Sequence, residues 1–375
     1  MKVMTILGTR PEIIRLSQVM RRLDESEAIE HVLVHTGQNY DYELNEVFFS
    51  DLAVKAPDHF LDVSRESLGQ AYGDILAKSE AVLLEEAPDA VLILGDTNSA
   101  IAAIIAKRMH IPVFHMEAGN RSFDHNVPEE VNRRIVDHTA DFNLVYTEHA
   151  RRNLLAEGLP ARRIYLTGSP MREVLERQRP QIEASTITAD LGYEPDGYFL
   201  VSAHRQENVD VPDRLETLLE TLARLSDDYD IPVLVSLHPR TKNRLGDRDL
   251  PSGIVLHKPF GFTDYNRLQL DAKCVLSDSG TITEEASLLG FPAVTIRDSI
   301  ERPEGLDTGS IVLCGLDYAS VSTAVSIVGD RVATQTPADY QIADTSERVI
   351  RLIVGLIGRS AFWSGIHAEP IAMSP

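Results

Sequence analysis

Short β-branched apolar runs alternate with longer amphipathic stretches along almost the whole chain, a pattern that predicts an α/β protein with parallel sheets. In the first half, Lys2 to Leu7, His31 to His35, Ala90 to Leu94, Pro112 to His115, Phe142 to Tyr146 and Arg163 to Thr167 are the expected strands. After the first of them, Ile13, Ile14, Leu16, Val19, Met20 and Leu23 make one apolar stripe. That spacing predicts a helix from Pro11 to Leu23, with Pro11 in the first turn, where a missing N–H is tolerated.

The same logic restarts near Tyr198, with strands expected at Tyr198 to Ala203, Pro232 to Leu237, Ile254 to Leu256, Lys273 to Leu276 and Ala293 to Ile296. A last amphipathic helix is expected from Ser346 to Gly358, after which the chain crosses back to the first half. The stretch Arg177 to Gly197, with Pro180, Pro195 and mixed charge, reads as a linker. Two domains are therefore expected: residues 1–172 joined by 358–375, and residues 173–357. Two doubly wound sheets of this kind would leave a cleft lined by their strand carboxyl ends, where ligands bind in such folds.

Composition narrows the partners. At 375 residues the chain exceeds what one core usually supports, and 43% hydrophobic with 25% charged residues is ordinary for a globular protein. The net charge of −21 makes nucleic acid and anionic membranes poor partners. The opening MKVMTILGTRPEII does not look like a signal peptide, no apolar stretch is long enough to span a membrane, and Cys274 and Cys314 lack metal or redox spacing, so a cytoplasmic protein is expected. An anionic ligand would need positive charge focused locally, against that global trend.

Such focus is visible. Gly8-Thr9-Arg10-Pro11-Glu12 follows the first strand; His204-Arg205 and His238-Pro239-Arg240 follow strands of the second series. Asp278-Ser279-Gly280-Thr281-Ile282-Thr283-Glu284-Glu285 follows the strand ending at Leu276, where unsatisfied helix-start amides and two hydroxyls could hold a phosphate and Glu285 a ribose. The same residues would also serve as an ordinary N-cap. Carboxylates form a second set: Asp96 and Glu117 just past predicted strands, and Glu129-Glu130 after Pro128. Glu129 could simply complement a helix dipole. There is no GxGxxG, Walker loop, HExxH or paired CxxC, so a nicotinamide, ATP hydrolysis or a catalytic zinc would lack its usual anchor.

Taken together, Gly8-Thr9-Arg10-Pro11-Glu12, Gly95-Asp96-Thr97, Glu117-Ala118-Gly119, Pro128-Glu129-Glu130, Asp278-Ser279-Gly280 and Glu301-Arg302-Pro303-Glu304 resemble the non-hydrolysing UDP-N-acetylglucosamine 2-epimerase family, in one collinear order over roughly residues 1 to 316. His35-Thr36-Gly37-Gln38-Asn39-Tyr40-Asp41-Tyr42, Glu117-Ala118-Gly119-Asn120-Arg121 and Ser202-Ala203-His204-Arg205 are most similar to its UDP-N-acetyl-L-fucosamine synthase branch. Three positions depart from the wider pattern: Arg15 for Lys, Thr281 for the second glycine of Asp-Ser-Gly-Gly, and Asn39 for the His after Gly-Gln, near an activator site of bacterial members.

The resemblance implies a GT-B type α/β fold, two facing Rossmann-like domains with a cleft, and a homodimer that uses no cofactor and no metal. It implies elimination of UDP across C1 and C2 of a UDP-sugar, giving a glycal, and re-addition after proton delivery to the opposite face of C2. Asp96, Glu117 and Glu129 would be the acid/base carboxylates, with His204 near the leaving phosphate. Arg10, Ser279, Gly280 and Thr281 would hold the diphosphate, Glu285 the ribose and Tyr265 the uracil; Arg302 would reach phosphate or sugar, and Arg15 and His238 would also bind substrate. The implied substrate is a UDP-2-acetamido-2,6-dideoxy-L-hexose used for surface polysaccharide precursors. The L-rhamno to L-quinovo pair and UDP-N-acetylglucosamine follow as alternatives, and a GT-B glycosyltransferase or a non-catalytic nucleotide-sugar sensor are the rivals of other classes.

Overall fold

Strand β1 (Lys2–Leu7) is buried from Val3 onward, as expected of a strand covered on both faces. The computed structural model describes residues 1–38, 49, 52–64, 66–124, 126–246, 248–329 and 335–366; Asn39 and the three residues after it lie outside these. β1 is flanked by β2 (Glu30–His35) and β4 (Ala90–Leu94), with Val3 opposite both His31 and Ala90. Adding β3 (His59–Phe60), β5 (Val113–Met116), β6 (Phe142–Val145) and β7 (Ile164–Leu166) gives a seven-stranded parallel sheet in the order β3-β2-β1-β4-β5-β6-β7.

The second sheet repeats the plan. β8 (Phe199–Ser202), β9 (Val233–Ser236), β10 (Ile254–His257), β11 (Cys274–Ser277), β12 (Ala293–Thr295) and β13 (Val312–Leu313) form six parallel strands in the order β10-β9-β8-β11-β12-β13. Both are Rossmann-like: the first strand of each series lies inside the sheet, and strand order reverses beside it, between β1 and β4 and between β8 and β11. That switch point is where loops diverge and a ligand finds room.

The helix expected at Pro11 to Leu23 spans Arg10–Glu25, and Ile13, Leu16, Val19, Met20 and Leu23 of its stripe are fully buried. One apolar cluster of the first unit joins Met4, Ile6, Val34, Val91 and Ile93 to Ile75 and Leu83 of the helix Leu68–Glu86. In the second, Phe199, Val201, Leu276 and Val294 pack on Leu218, Leu222 and Leu225 of the helix Pro212–Tyr229.

Contacts divide the chain into one unit of Met1–Asn120, Pro128–Val174 and Ile342–Pro375, and another of Arg121–Val127 and Leu175–Gln341. The C-terminal segment thus joins the first unit from Ile342. Thr345 Oγ1 donates to the carbonyls of Thr167 (3.0 Å) and Ser169 (3.2 Å), and Arg22 Nε donates to Ser346 Oγ (2.7 Å). The stretch Arg177 to Gly197 is not a plain linker: the helix Met171–Ala184 carries Pro180 in its interior, and a short helix Ile187–Asp190 follows. Val174, Leu175, Gln178 and Ile182 are buried, and that stripe outweighs the disruption from one proline. Cys274 is buried and Cys314 partly so; both are free thiols, and burial pushes each thiol up. No helix among the described residues is long and apolar enough to cross a membrane.

Candidate functional site

The switch point of the first sheet carries the carboxylates. Gly95 (φ 69°) turns the chain sharply out of β4, so that Asp96 stands just past the strand end, half-buried. Arg133, from the helix Glu129–Thr139 and itself buried, grips Asp96 Oδ2 through Nε (3.0 Å) and Nη2. Asn132 of that helix donates to the Asp96 carbonyl at 3.0 Å. Glu129 opens the helix and is half-buried; its neighbour Glu130 is buried and accepts from Arg133 Nη1 at 2.6 Å. Of the adjacent acids, Glu130 therefore serves the arginine that holds Asp96.

Glu117 follows β5 in the left-handed region (φ 63°), a conformation that costs a non-glycine residue about 1 kcal/mol and marks a place where geometry is held on purpose. Its Oε2 is 3.1 Å from Arg15 Nη1, and Arg15 is buried over the Tyr146 ring, 5.9 Å from the centroid. The resemblance gave Arg15 to the substrate; it lies on the buried face of the helix Arg10–Glu25 and pairs with the Glu117 carboxylate. Arg10 begins the same helix, half-buried, and burial lowers its guanidinium pKa.

Glu12, also on this helix, ties the two loops of the switch point. It is 1% exposed and accepts from Gly8 N (3.1 Å), Thr9 Oγ1 (2.7 Å) and Thr97 Oγ1 (3.1 Å), so the loop of Arg10 and the loop of Asp96 share one carboxylate. Burial outweighs those donors and pushes the Glu12 carboxyl up from 4.5 to about 7. With the folded-state value above the unfolded one, the folded protein binds more proton between these values, and its stability falls as pH rises through that window, by about 3 kcal/mol in full. Thermal melts should show the wild-type Tm dropping relative to Glu12→Gln between about pH 5 and pH 8. Parallel curves for the two proteins would contradict this.

The switch point of the second sheet is cationic and rich in donors. Buried Asp278 accepts from the backbone N–H of His204 (3.0 Å) and Arg205 (2.9 Å) and from Asn208 Nδ2 (3.1 Å), locking the loop after β8 to the loop after β11. His204 Nδ1 is 3.2 Å from Asp278 Oδ1; burial lowers the imidazole pKa and the Asp278 charge opposes that shift. Ser279, Gly280 and Thr281 form the turn into the helix Ile282–Leu289, with Ser279 Oγ 3.1 Å from Thr281 Oγ1. Thr281, directly before the helix, makes no side-chain capping bond, while Ser279 Oγ accepts from Thr281 N at 3.4 Å, so Ser279 also caps this turn.

Gly280 allows a close approach. A Cβ there would lie 2.7 Å from Arg302 Nη1 and 3.7 Å from Arg205 Nη2, so two guanidinium groups converge on a backbone with no side chain to hold them off. Arg302 is buried, its Nε 3.2 Å from Glu284 Oε2. Glu285 accepts from Gln269 Nε2 (2.7 Å), which orients it. Tyr265 is half-buried in an apolar cluster, and burial raises its phenol pKa. His238 is exposed; its Nδ1 accepts from Arg240 N (3.1 Å) and its ring stands 5.2 Å from that of His204.

In the first unit Arg15 meets Glu117, Arg10 begins the helix of Arg15, and Glu129 begins the helix whose Arg133 holds Asp96; in the second His204, His238, Ser279, Gly280, Thr281 and Arg302 lie on or beside the loops after the strands, with Glu285 and Tyr265 on neighbouring helices. Glu12, Arg133 and Arg205 belong beside them. Arg133 follows Glu130 by three residues, the helical ion-pair spacing, and that signal was present in the sequence.

Comparison with known proteins identifies the family. A family model described as UDP-N-acetylglucosamine 2-epimerase matches residues 21–354. The UDP-2,3-diacetamido-2,3-dideoxy-D-glucuronate 2-epimerase of Pseudomonas aeruginosa is 36% identical, over 84% of this chain and 88% of its own. The UDP-N-acetylglucosamine 2-epimerase structure from Rickettsia bellii is 45% identical with a TM-score of 0.89, covering 96% of this chain and 98% of that one. The enzyme of Methanocaldococcus jannaschii, solved with UDP-GlcNAc and UDP, is 35% identical with a TM-score of 0.89 over 95% and 100%. With two parallel sheets on the GT-B plan and such relatives along nearly its whole length, the chain belongs to the non-hydrolysing UDP-N-acetylglucosamine 2-epimerase family: it is an isomerase, a UDP-sugar 2-epimerase.

Proposed function

We propose that this epimerase inverts C2 of a UDP-2-acetamido-2,6-dideoxy-L-hexose, converting UDP-2-acetamido-2,6-dideoxy-L-talose to UDP-N-acetyl-L-fucosamine for surface polysaccharide synthesis in the cytoplasm. The observation that carries the chemistry is the division of labour between switch points. Carboxylates each gripped by an arginine, Asp96 by Arg133 and Glu117 by Arg15, follow β4 and β5; guanidinium and hydroxyl donors surround Gly280 after β11.

A hydrogen on C2 beside an acetamido group is not acidic. As the bond from C1 to the diphosphate oxygen lengthens, positive character at C1 acidifies it, so departure of UDP and removal of the proton go together. One carboxylate of the Asp96, Glu117 and Glu129 set takes that proton, leaving a glycal with a C1–C2 double bond. A second delivers a proton to the other face of C2 while a UDP oxygen bonds again to C1. Arg10, Arg302, Ser279, Gly280 and Thr281 stabilise the departing diphosphate, with His204 beside it; Glu285 takes the ribose and Tyr265 the uracil.

The L-sugar assignment draws support from the phrases shared with the fucosamine branch around Asn120-Arg121 and Ser202-Ala203-His204-Arg205. Conversion of UDP-N-acetylglucosamine to UDP-N-acetylmannosamine is the second reading, supported by the name of the Rickettsia bellii relative. Incubation with each UDP-sugar, including the L-rhamno and L-quinovo forms, in heavy water, followed by NMR of C2, tests both. Deuterium at an inverted C2 with no added cofactor is expected for the L-talo sugar. Inversion of UDP-N-acetylglucosamine alone would replace the first reading by the second, and net accumulation of UDP and free sugar would remove both.

A further inference from the structure

We propose that His115 and Asp137 are positioning residues that lock the Asp96 loop to the Glu117 loop; the proposal rests on reading Asp96 and Glu117 as proton-transfer groups. β4 and β5 are neighbours, and the Gly95 amide still donates to the Met116 carbonyl at 2.9 Å. Beyond that bond both strands leave the sheet, β4 at Gly95 and β5 at Glu117, and both turns use left-handed backbone. The sheet therefore aligns the strands, while the side chains that would move protons sit on turns outside its ladder.

A buried relay bridges those turns. His115, in β5, is fully buried, and its Nε2 is 2.8 Å from the Gly95 carbonyl, which can only accept; Nε2 therefore carries the hydrogen. Its Nδ1 is 3.0 Å from Asp137 Oδ1, a close polar contact lying off the direct hydrogen-bonding line. Asp137, on the helix Glu129–Thr139 and also fully buried, accepts the Gly119 N–H with both oxygens at 3.2 Å. Two hydrogen bonds joined by that close contact thus link the residue before Asp96, through His115 and Asp137, to the second residue after Glu117.

Gly119 is held from its other sides too. Its carbonyl accepts from Asn153 Nδ2 at 3.0 Å, and a Cβ on it would stand 2.4 Å from the Ala150 carbonyl oxygen. A strained residue such as Glu117 keeps its conformation when its surroundings over-determine it, and these contacts do so. Buried ionisable pairs seldom stabilise a core better than apolar side chains of the same size. Here the pair does what apolar residues cannot: it donates to a carbonyl of one loop and accepts from an amide of the other.

His115→Gln and His115→Asn separate the two halves of the relay. A Gln amide can reach the Gly95 carbonyl without engaging Asp137, and an Asn amide can engage Asp137 without reaching Gly95. With the UDP-sugar that the enzyme inverts, each variant is expected to lose about tenfold or more in kcat while KM stays within about threefold. The decisive readout is the amount of free UDP, with its glycal, released per inversion, which should rise when the carboxylates are misplaced. A variant that merely folds less well lowers release and inversion in proportion; an unchanged ratio in both variants would overturn the proposal. If neither folds, hydrogen exchange in the wild-type protein decides. Protection of the Gly119 amide comparable to the β5 amides is expected, and exchange at the rate of an open loop would overturn the relay. Asp96→Asn and Glu117→Gln run in the same assay keep the two ideas apart. If those retain turnover, the carboxylate assignment falls; if they abolish it while the His115 variants match wild type, the relay alone falls.

Discussion

Asp96→Asn and Glu117→Gln are each expected to lower kcat by about 10²- to 10⁴-fold, the range spanned by loss of one positioned acid or base. Neither amide can take or give the C2 proton, and each is close in size to the acid it replaces, so the loss falls on the chemical step. Binding of UDP by itself should stay within about threefold, because the donors assigned to the diphosphate belong to other loops. The two variants should differ in their side effects. In Asp96→Asn, Arg133 keeps its 2.6 Å bond to Glu130, and folding is little disturbed. In Glu117→Gln, Arg15 gives up a 3.1 Å ion pair at a buried position, and a lower Tm should accompany the lost turnover. Steady-state rates on the accepted UDP-sugar, UDP titration calorimetry and a thermal melt distinguish these outcomes. Near-normal turnover in both variants would remove the carboxylates from the reaction.

Most of the strand framework was legible because parallel strands buried on both faces read as unbroken apolar runs. Lys2–Leu7 and Ala90–Leu94 match residue for residue, and the others move by one position at one or both ends. The two strands not anticipated, His59–Phe60 and Val312–Leu313, are two residues long and lie at sheet edges, too short for any period to register. The linker was misjudged because Pro180 and mixed charge outweigh, to the eye, a stripe of Val174, Leu175 and Ile182 that becomes plain only once its burial is known.

In the site, motif residues after strand ends were visible from the alternation of elements and from the resemblance, but their partners were not. Arg15 could be named from the resemblance, but nothing in the order of residues says that Glu117, far along the chain, will meet it inside the protein. His115 and Asp137 were hidden for the same reason: each resembles an unremarkable polar residue until Gly95 and Gly119 appear at its ends. Long-range pairing is settled by the sheet order, and the carboxylates could be named before the residues that aim them.

Gly280→Ala should raise the Kd for UDP by about tenfold or more while leaving the fold intact, which makes this position a sensitive probe of the diphosphate cradle. Gly280 does not occupy left-handed backbone, so alanine brings no conformational strain of its own; the effect comes from its methyl group. That methyl would arrive 2.7 Å from Arg302 Nη1, well inside contact distance. An exposed arginine would swing aside at little cost. Arg302 is 5% exposed and its Nε stands 3.2 Å from the buried Glu284, so moving the guanidinium means leaving a carboxylate behind or shifting both. If Arg302 holds the diphosphate as proposed, the displaced fork would no longer meet the phosphate oxygens at hydrogen-bonding distance, and loss of a charge-assisted bond of about 1.5–3 kcal/mol corresponds to about a 10- to 100-fold weaker complex. Arg302→Lys should weaken UDP as well, by replacing a planar fork with a point charge, but without crowding the turn. Calorimetric titration of UDP into the three proteins provides the measurement: an unchanged Kd in Gly280→Ala, with the Tm also unchanged, would show that the diphosphate binds elsewhere.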